Sequence, residues 1–277
     1  MANHKVIIDA NKSPLSLELK ELKNYKDLFY TLAYRDFKVK YAQTFLGLIW
    51  AFIQPFLTLV VFGLVFSRGL QLDTGSVPYI LFAACGLAAW TYFSGVMGQA
   101  GQSIIGAQGM VQKIFFPRLI IPLSKALVGL IDFLIGLGII LLLMLFYHYP
   151  PSANLLYLPF FMLMALIASL GVGIWLSALT IRYRDFQQIV PFLVRFGMFF
   201  TPVAYPADIV VNRIPDWASV VYYLNPIAGI IDGFRWAILG TEAPGTLAYI
   251  SFGVVIILFI SSLFYFKKVE KTIADII

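Results

Sequence analysis

From Phe45 to Phe66 the chain runs for 22 residues without a charge. At about 1.5 Å of rise per residue, such a run crosses a hydrocarbon layer of roughly 30 Å with some tilt. The residues just before it, from Arg35, read RDFKVKYAQT and are basic and aromatic. The chain therefore enters a bilayer directly from a polar helix on one side, and the rest must alternate across it. Only helices and closed barrels satisfy their backbone groups in lipid. The apolar runs here are continuous rather than alternating, which selects helices.

Composition agrees with that reading. Of 277 residues, 60% are hydrophobic and 12% are charged, against about 25% charged in ordinary soluble domains. The net charge is +6, but most Lys and Arg flank apolar runs. That argues against a nucleic-acid surface, which needs a basic patch on a folded soluble face. The single cysteine, Cys85, lies in an apolar run. It reads as a buried packing thiol, with no metal-type Cys/His spacing around it. No short apolar segment with a cleavage site occurs in the first 44 residues, so no cleaved signal is expected.

The expected fold is an all-α integral membrane protein with six transmembrane helices. Residues 1–44 form a cytosolic lead and an amphipathic interface helix. Between Leu19 and Lys40, Leu22, Tyr25, Leu28, Phe29, Leu32 and Ala33 recur at helical steps, with Lys20, Lys23, Lys26, Arg35 and Lys38 on the polar side. This helix reads either as a plain anchor or as a docking surface for a cytosolic partner. Residues 45–266 hold the spans, at about 45–66, 77–98, 119–147, 155–181, 189–203 and 247–266. Pro55 should bend the first span. Gly95, Gly98 and Gly101 let the second approach a neighbour closely. Within 207–242, Asp216–Tyr223 and Pro226–Leu239 are too short to span and read as re-entrant or interfacial helices. Residues 267–277 form a cytosolic tail.

Charge sets the topology. Fifteen Lys and Arg fall on the side of the N-terminal region, of Gln99–Arg118, of Arg182 and Arg184, and of the tail. Arg68, Arg213 and Arg235 fall on the other side, and Lys125 and Arg195 within spans. The positive-inside rule puts both termini in the cytoplasm. An even number of spans agrees, and region 207–242 then lies outside.

Asp132 and Arg195 are the clearest intramembrane charges, each costing on the order of 2.5–3.5 kcal/mol on insertion scales unless paired or wetted. They read as facing a polar path, as facing each other, or, for Arg195, as snorkelling to the near interface. Trp50, Phe52 and Phe56 in the first span, and Phe192, Phe196, Phe199, Phe200 and Tyr205 in and after the fifth, are candidates for an aromatic lining. Lipid-facing bulk is the competing reading. Sugar rings stack their C–H faces on aromatic rings, which permits a sliding, low-specificity grip. Several motifs are missing: a GxxxxGK[ST] phosphate loop, HExxH, GxSxG, a voltage-sensor Arg series and a TVGYG filter. The chain reads as a path that needs an outside energy source.

Four blocks carry a family resemblance: RDFKVKYAQTFLGLIWAFIQPFLTLVVFGLVF, KIFFPRLIIPLSKALVGLIDFLIGL, RYRDFQQIVPFLVRFGMFFTPVAYP and NPIAGIIDGFRWAILG. In this order they resemble the type-2 ABC exporter permeases of bacterial polysaccharides: O-antigen, capsular polymer or teichoic acid. The resemblance covers nearly the whole chain from Leu19. It implies a homodimer of six-span subunits in the bacterial inner membrane, with two cytosolic ATP-binding subunits that carry the ATP and magnesium. This chain itself would hold no cofactor and catalyse no reaction. The implied cargo is a lipid-linked glycan. The resemblance assigns the ATPase coupling contact to Gln102–Arg118, with Gln102, Lys113, Phe116, Pro117 and Arg118 as its residues. It places the pore at spans one and five, and an outer gate at Trp217, Asp232, Arg235 and Trp236. Arg35, Lys38, Lys40, Arg182 and Arg184 are candidates to receive the lipid pyrophosphate through charge-assisted bonds, or are simply inside anchors. Competing functions are export of a small drug or lipid, a structural scaffold, and a membrane enzyme on isoprenoid-linked sugars. The enzyme would need a cluster of carboxylates, whereas Asp208, Asp216, Asp232 and Glu242 are scattered.

Overall fold

A computed structural model describes residues 19–42 and 47–270. The start of the lead, Phe45 and Leu46 of the expected first span, and the tail beyond 270 lie outside the described residues. Among the described residues the chain is all-helical, without strands.

α1 (Leu19–Asn24) and α2 (Lys26–Phe37) lead into a π-helical turn at Lys38–Ala42. α3 (Ile49–Phe62) contains Pro55 and continues as a π-helical stretch, Gly63–Gly69. α4 (Tyr79–Gly101) starts after Pro78. Two single turns follow, α5 (Ser103–Gly106) and α6 (Gln108–Val111). α7 (Ile120–Phe146) has Pro122 in its first turn, where the missing N–H is not needed. α8 (Leu158–Arg182) is entered through a 3-10 turn at Ala153–Tyr157. α9 (Phe186–Phe196) comes next. Then come α10 (Ala207–Val211), α11 (Asp216–Tyr223), α12 (Ala228–Leu239) and α13 (Ala248–Glu270).

Among the described residues, five helices are long and apolar enough to cross a membrane; the sixth apolar segment, Phe186–Phe200, is shorter. The sequence predicts one crossing helix from Ile189 to Val203. The helix instead tightens to 3-10 at Gly197–Phe200, and Thr201 is extended at φ −125°, ψ 143°. The cause is Pro202, which disfavours helical backbone in the residue before it. A turn at 201–203 and a bend at Ala204 and Tyr205 complete the passage. The Gln102 amide donates to the Gln187 carbonyl at 3.4 Å at one end of α4. The Tyr79 hydroxyl donates to the Ala204 carbonyl at 2.9 Å at the other. Between them Val194 lies against Gly98 and Gly197 against Trp90. The segment thus follows α4 over its full length.

α4 is the buried centre of the bundle, packed on α3, α7, α8, α9 and α12. Small residues make this possible. A Cβ at Gly129 of α7 would sit 2.4 Å from Val96, and one at Gly173 of α8 would sit 2.7 Å from Ala100. Helices in lipid gain little from mutual hydrophobicity, so close backbone approach decides which of them pack.

The two ends of the bundle are tied by different contacts. At the basic end, Arg118 reaches Glu270 and Gln102 reaches Gln187. At the opposite end, the Tyr149 hydroxyl donates to the Leu239 carbonyl at 2.8 Å, and the Ser152 N–H donates to the Ile238 carbonyl at 3.1 Å. α12 is buried there among α4, α8 and α13. It ends at Gly240, whose left-handed φ of 68° gives the C-cap that glycine adopts without strain.

Candidate functional site

A cleft of about 410 Å³ opens between α3, α4, α7 and α9. Its polar lining comes from Gln54, Thr58, Thr91, Ser94 and Asp132, and Trp50 and Trp90 add aromatic faces. Asp132 lies about 18 Å along α7 from its start. It does not meet Arg195. Lys40 pairs with it, and the Tyr41 hydroxyl donates to its other oxygen. Burial and the Asp132 carboxylate push the Tyr41 phenol above its ordinary pKa, so it stays a donor. A second pair lies nearer the start of α7, where Lys125 bonds Asp36 of α2. Asp36 and Lys40 are four apart on their helix, and Lys125 and Asp132 are seven apart on α7. The N-terminal segment therefore climbs along α7 towards the cleft, rather than lying wholly flat on a surface.

Ion pairs engage two of the headgroup candidates. Lys40 is neutralised by Asp132, and Arg35 bonds Asp36 at 2.8 Å. Lys38 lies 4.8 Å over the Tyr34 ring, and Arg182 lies 5.4 Å over Tyr183. Arg184 is exposed. Arg195 is also exposed and has no acidic partner among the described residues.

Of the aromatic candidates, Trp50 lines the cleft. Phe52, Phe56, Phe192, Phe196, Phe199 and Phe200 stand exposed on α3 and on α9 with its 3-10 extension. Phe192 and Phe196 pack together with centroids 4.5 Å apart. The Tyr205 hydroxyl donates to the Phe199 carbonyl at 3.2 Å, which folds the chain back after the 3-10 turn.

At the basic end, the link after α6 exposes Lys113, Ile114 and Phe115. Phe116 turns into the core, and Arg118 ties the link to α13. The Arg118 N–H donates to Glu270 Oε1 at 3.1 Å, and its guanidinium donates to the Glu270 carbonyl at 2.8 Å. Gln102 is held by α9 rather than offered outward. Ile114 and Phe115 were missed as candidates. Their signal was an apolar pair between Lys113 and Pro117, in a link otherwise rich in Gly and Gln.

At the opposite end, the four gate candidates separate. Trp217 is exposed, whereas Trp236 packs on Tyr157 and Phe161. Arg235 is 2% exposed. It lies 3.6 Å over the Phe82 ring, donates to the Val203 carbonyl at 2.8 Å and stands 4.0 Å from Asp232. Asp232 accepts a bond from the Tyr223 hydroxyl at 2.9 Å. Burial pushes the Asp232 carboxyl up, while Arg235 and Tyr223 pull it back. Arg235 thus acts as a strut, fixing the turn after α9 to α12 and α4. Ser251 of α13 holds the same region, donating towards the Tyr223 carbonyl at 2.8 Å and accepting from the Gly229 N–H at 3.3 Å. α13 therefore joins the Arg118 contact at one end to the α11–α12 turn at the other.

With this geometry in place, comparison with known proteins is informative. The family model described as ABC-2 type transporter matches residues 27–239. An O-antigen export system permease protein RfbA of Myxococcus xanthus is 27% identical over 255 residues, covering 91% of this chain and 96% of that protein. Another RfbA, of Klebsiella pneumoniae, is 27% identical over 267 residues, covering 95% and 100%. The polysialic acid transport protein KpsM of Escherichia coli is 22% identical over 250 residues, covering 87% and 93%. Since the matched residues span most of the bundle, including the cleft, the Arg118 link and the buried α12, the chain belongs to the ABC-2 type transporter family.

Proposed function

We propose that this chain is the membrane subunit of an ATP-driven exporter that moves a lipid-linked polysaccharide out of the bacterial cytoplasm. It works as a homodimer with two cytosolic ATP-binding subunits, and both of its termini face the cytoplasm of the inner membrane. The observation that carries the reading is the pairing of a polar, Trp-lined cleft with exposed aromatic faces on α3 and α9. A second copy facing those helices would enclose a route walled by rings, which suits sugar C–H faces better than it suits a lipid tail. The similarity to O-antigen and polysialic acid permeases supports the cargo class. Exposed Ile114 and Phe115 suit an apolar socket on an ATP-binding subunit. The Arg118–Glu270 contact would carry that subunit's movement to α13 as a rigid body. Arg35, Lys38, Arg182 and Arg184 remain the rim cations for a pyrophosphate headgroup, with Lys40 available only by leaving Asp132.

Deleting the gene in its host should remove the polymer from the surface and leave lipid-linked glycan inside. Asp132→Leu tests the cleft. Normal surface polymer from that variant would remove Asp132 from the route. Surface polymer unaffected by loss of the gene would overturn the whole reading.

A further inference from the structure

Region 207–247 and the link after α3 enclose a second recess, of about 710 Å³, at the end opposite the basic one. That volume lies within the roughly 300–1,000 Å³ typical of ligand sites. Three exposed carboxylates, Asp73, Asp208 and Glu242, stand on its wall. Asp232 and Arg235 form its floor, and among the described residues no other Lys or Arg lines it. The floor is not closed on itself. Arg235 is buried, yet its Nε has no hydrogen-bond acceptor among the described residues. Arg235 Nη1 is a loose 4.0 Å from Asp232 Oδ1. Asp232 is only partly buried, its side chain 18% exposed, and a partly open acceptor beside a cation with spare capacity calls for a partner that both gives and takes hydrogen bonds. A sugar hydroxyl does both. A carboxylate or phosphodiester only accepts, and here it would meet three fixed negative charges.

We propose that this recess receives the glycan as it leaves the subunit, and that its wall selects neutral or amino-sugar polymers against polyanions. The proposal rests on the exporter reading and adds the chemical class of the cargo. Hydroxyls from the chain bond Asp232, Arg235 and the rim carboxylates. An acidic repeat is turned away by like charge rather than by shape.

The test expresses the chain with its own ATP-binding subunit in two hosts, each lacking its native permease. One host makes a neutral lipid-linked polysaccharide, the other polysialic acid, and surface polymer is measured in both. The neutral polymer should reach the surface, with polysialic acid about ten-fold lower, as like-charge juxtaposition disfavours wrong partners. The triple variant Asp73→Asn, Asp208→Asn, Glu242→Gln should raise the ratio of polysialic acid to neutral polymer about five-fold or more. The ratio cancels any change in protein level. Equal surface amounts of both polymers in the wild type would overturn the proposal, as would a ratio unmoved in the triple variant. Failure of both polymers to appear would instead overturn the exporter reading beneath it.

Discussion

α3 and α4 are consecutive spans of similar length, yet they live in opposite surroundings. Of the apolar window of α3 and its π-helical extension, 11% is buried; of that of α4, 83%. The helix with more hydropathy is the more exposed one. In water that order would be perverse. In a bilayer, apolar side chains have no reason to leave the lipid, so hydropathy says only which helices cross. What goes inside is decided by small residues that let backbones close in. α4 has Ala83, Ala84, Gly86, Ala88, Ala89 and Gly98; α3 has Trp50, Phe52 and Phe56. The aromatic face of α3 is left exposed, open to the second copy or the cargo proposed above, while α4 holds the subunit together.

The largest effect should come from crowding the α4 side of this contrast. A Cβ at Gly86 would lie 2.6 Å from the Val203 carbonyl oxygen and 2.7 Å from the Arg235 guanidinium. Neither can yield, since one is backbone and the other is a buried strut. Gly86→Ala should therefore cost at least the ~1–3 kcal/mol of ordinary overpacking and sharply lower the yield of monodisperse protein on gel filtration. Gly63, where the α3 π-helical stretch begins, is the control. A Cβ there meets only the tip of the Ile80 side chain, at 2.6 Å, which can rotate away. Equal damage from Gly63→Ala and Gly86→Ala would break the contrast.

Next in size is the seam between α2 and α7. Lys125 is 9% exposed and its partner Asp36 is half-buried. Lys125→Met should lower stability by less than the ~3–5 kcal/mol of a fully buried broken pair, because Arg35 still serves Asp36. The exchange Asp36→Lys with Lys125→Asp should recover part of the melting temperature. No recovery would mean that packing, not charge, holds the seam.

The exposed aromatics should behave in the opposite way. Phe56→Ala and Phe196→Ala remove surface rings, so stability should move by under about 0.5 kcal/mol. Export should fall all the same, by roughly two- to ten-fold for each ring if each contributes about 0.5–1.5 kcal/mol of stacking to the moving glycan. Unchanged surface polymer in both variants would return these rings to the role of lipid-facing bulk.

The contrast also explains what could be read before the structure. Crossing segments were legible because apolar runs of 15–29 residues with at most two charges admit few alternatives in lipid. The charge asymmetry, fifteen cations against three, was likewise plain in the sequence. The path of α9 was less so, because Pro202 acts on Thr201 and the rest of the crossing is turn and bend with no periodic signature. Pairings across the bundle were hidden. Asp132 and Arg195 are both intramembrane charges, but nothing in their spacing reveals that Lys40 and Tyr41, some ninety residues upstream, take Asp132. Asp232 and Arg235 are three apart on one helix, and nothing in that spacing shows that Arg235 is buried. Its burial depends on Phe82, Gly86 and Val203, all distant in sequence. The α13 connection was invisible for the same reason, since Ser251 and Glu270 are ordinary residues until their partners are known.

The smallest effect should be at Lys40, and its size sharpens the account of the seam. The Lys40 side chain is 39% exposed, so water screens its pair with Asp132, and such pairs contribute about 0–1 kcal/mol. Asp132 also keeps the Tyr41 hydroxyl when Lys40 is lost. Lys40→Met should therefore shift the melting temperature much less than Lys125→Met, although both remove one lysine from the same seam. Its consequence should fall on the cleft, where Lys40 and Asp132 share a wall. A carboxylate left with one neutral donor is a poorer neighbour for an anionic headgroup, so export should decline while stability holds. If Lys40→Met instead destabilises as much as Lys125→Met, the mouth of the cleft is part of the packed seam. The α3 side would then be less free of the bundle than its exposed rings imply.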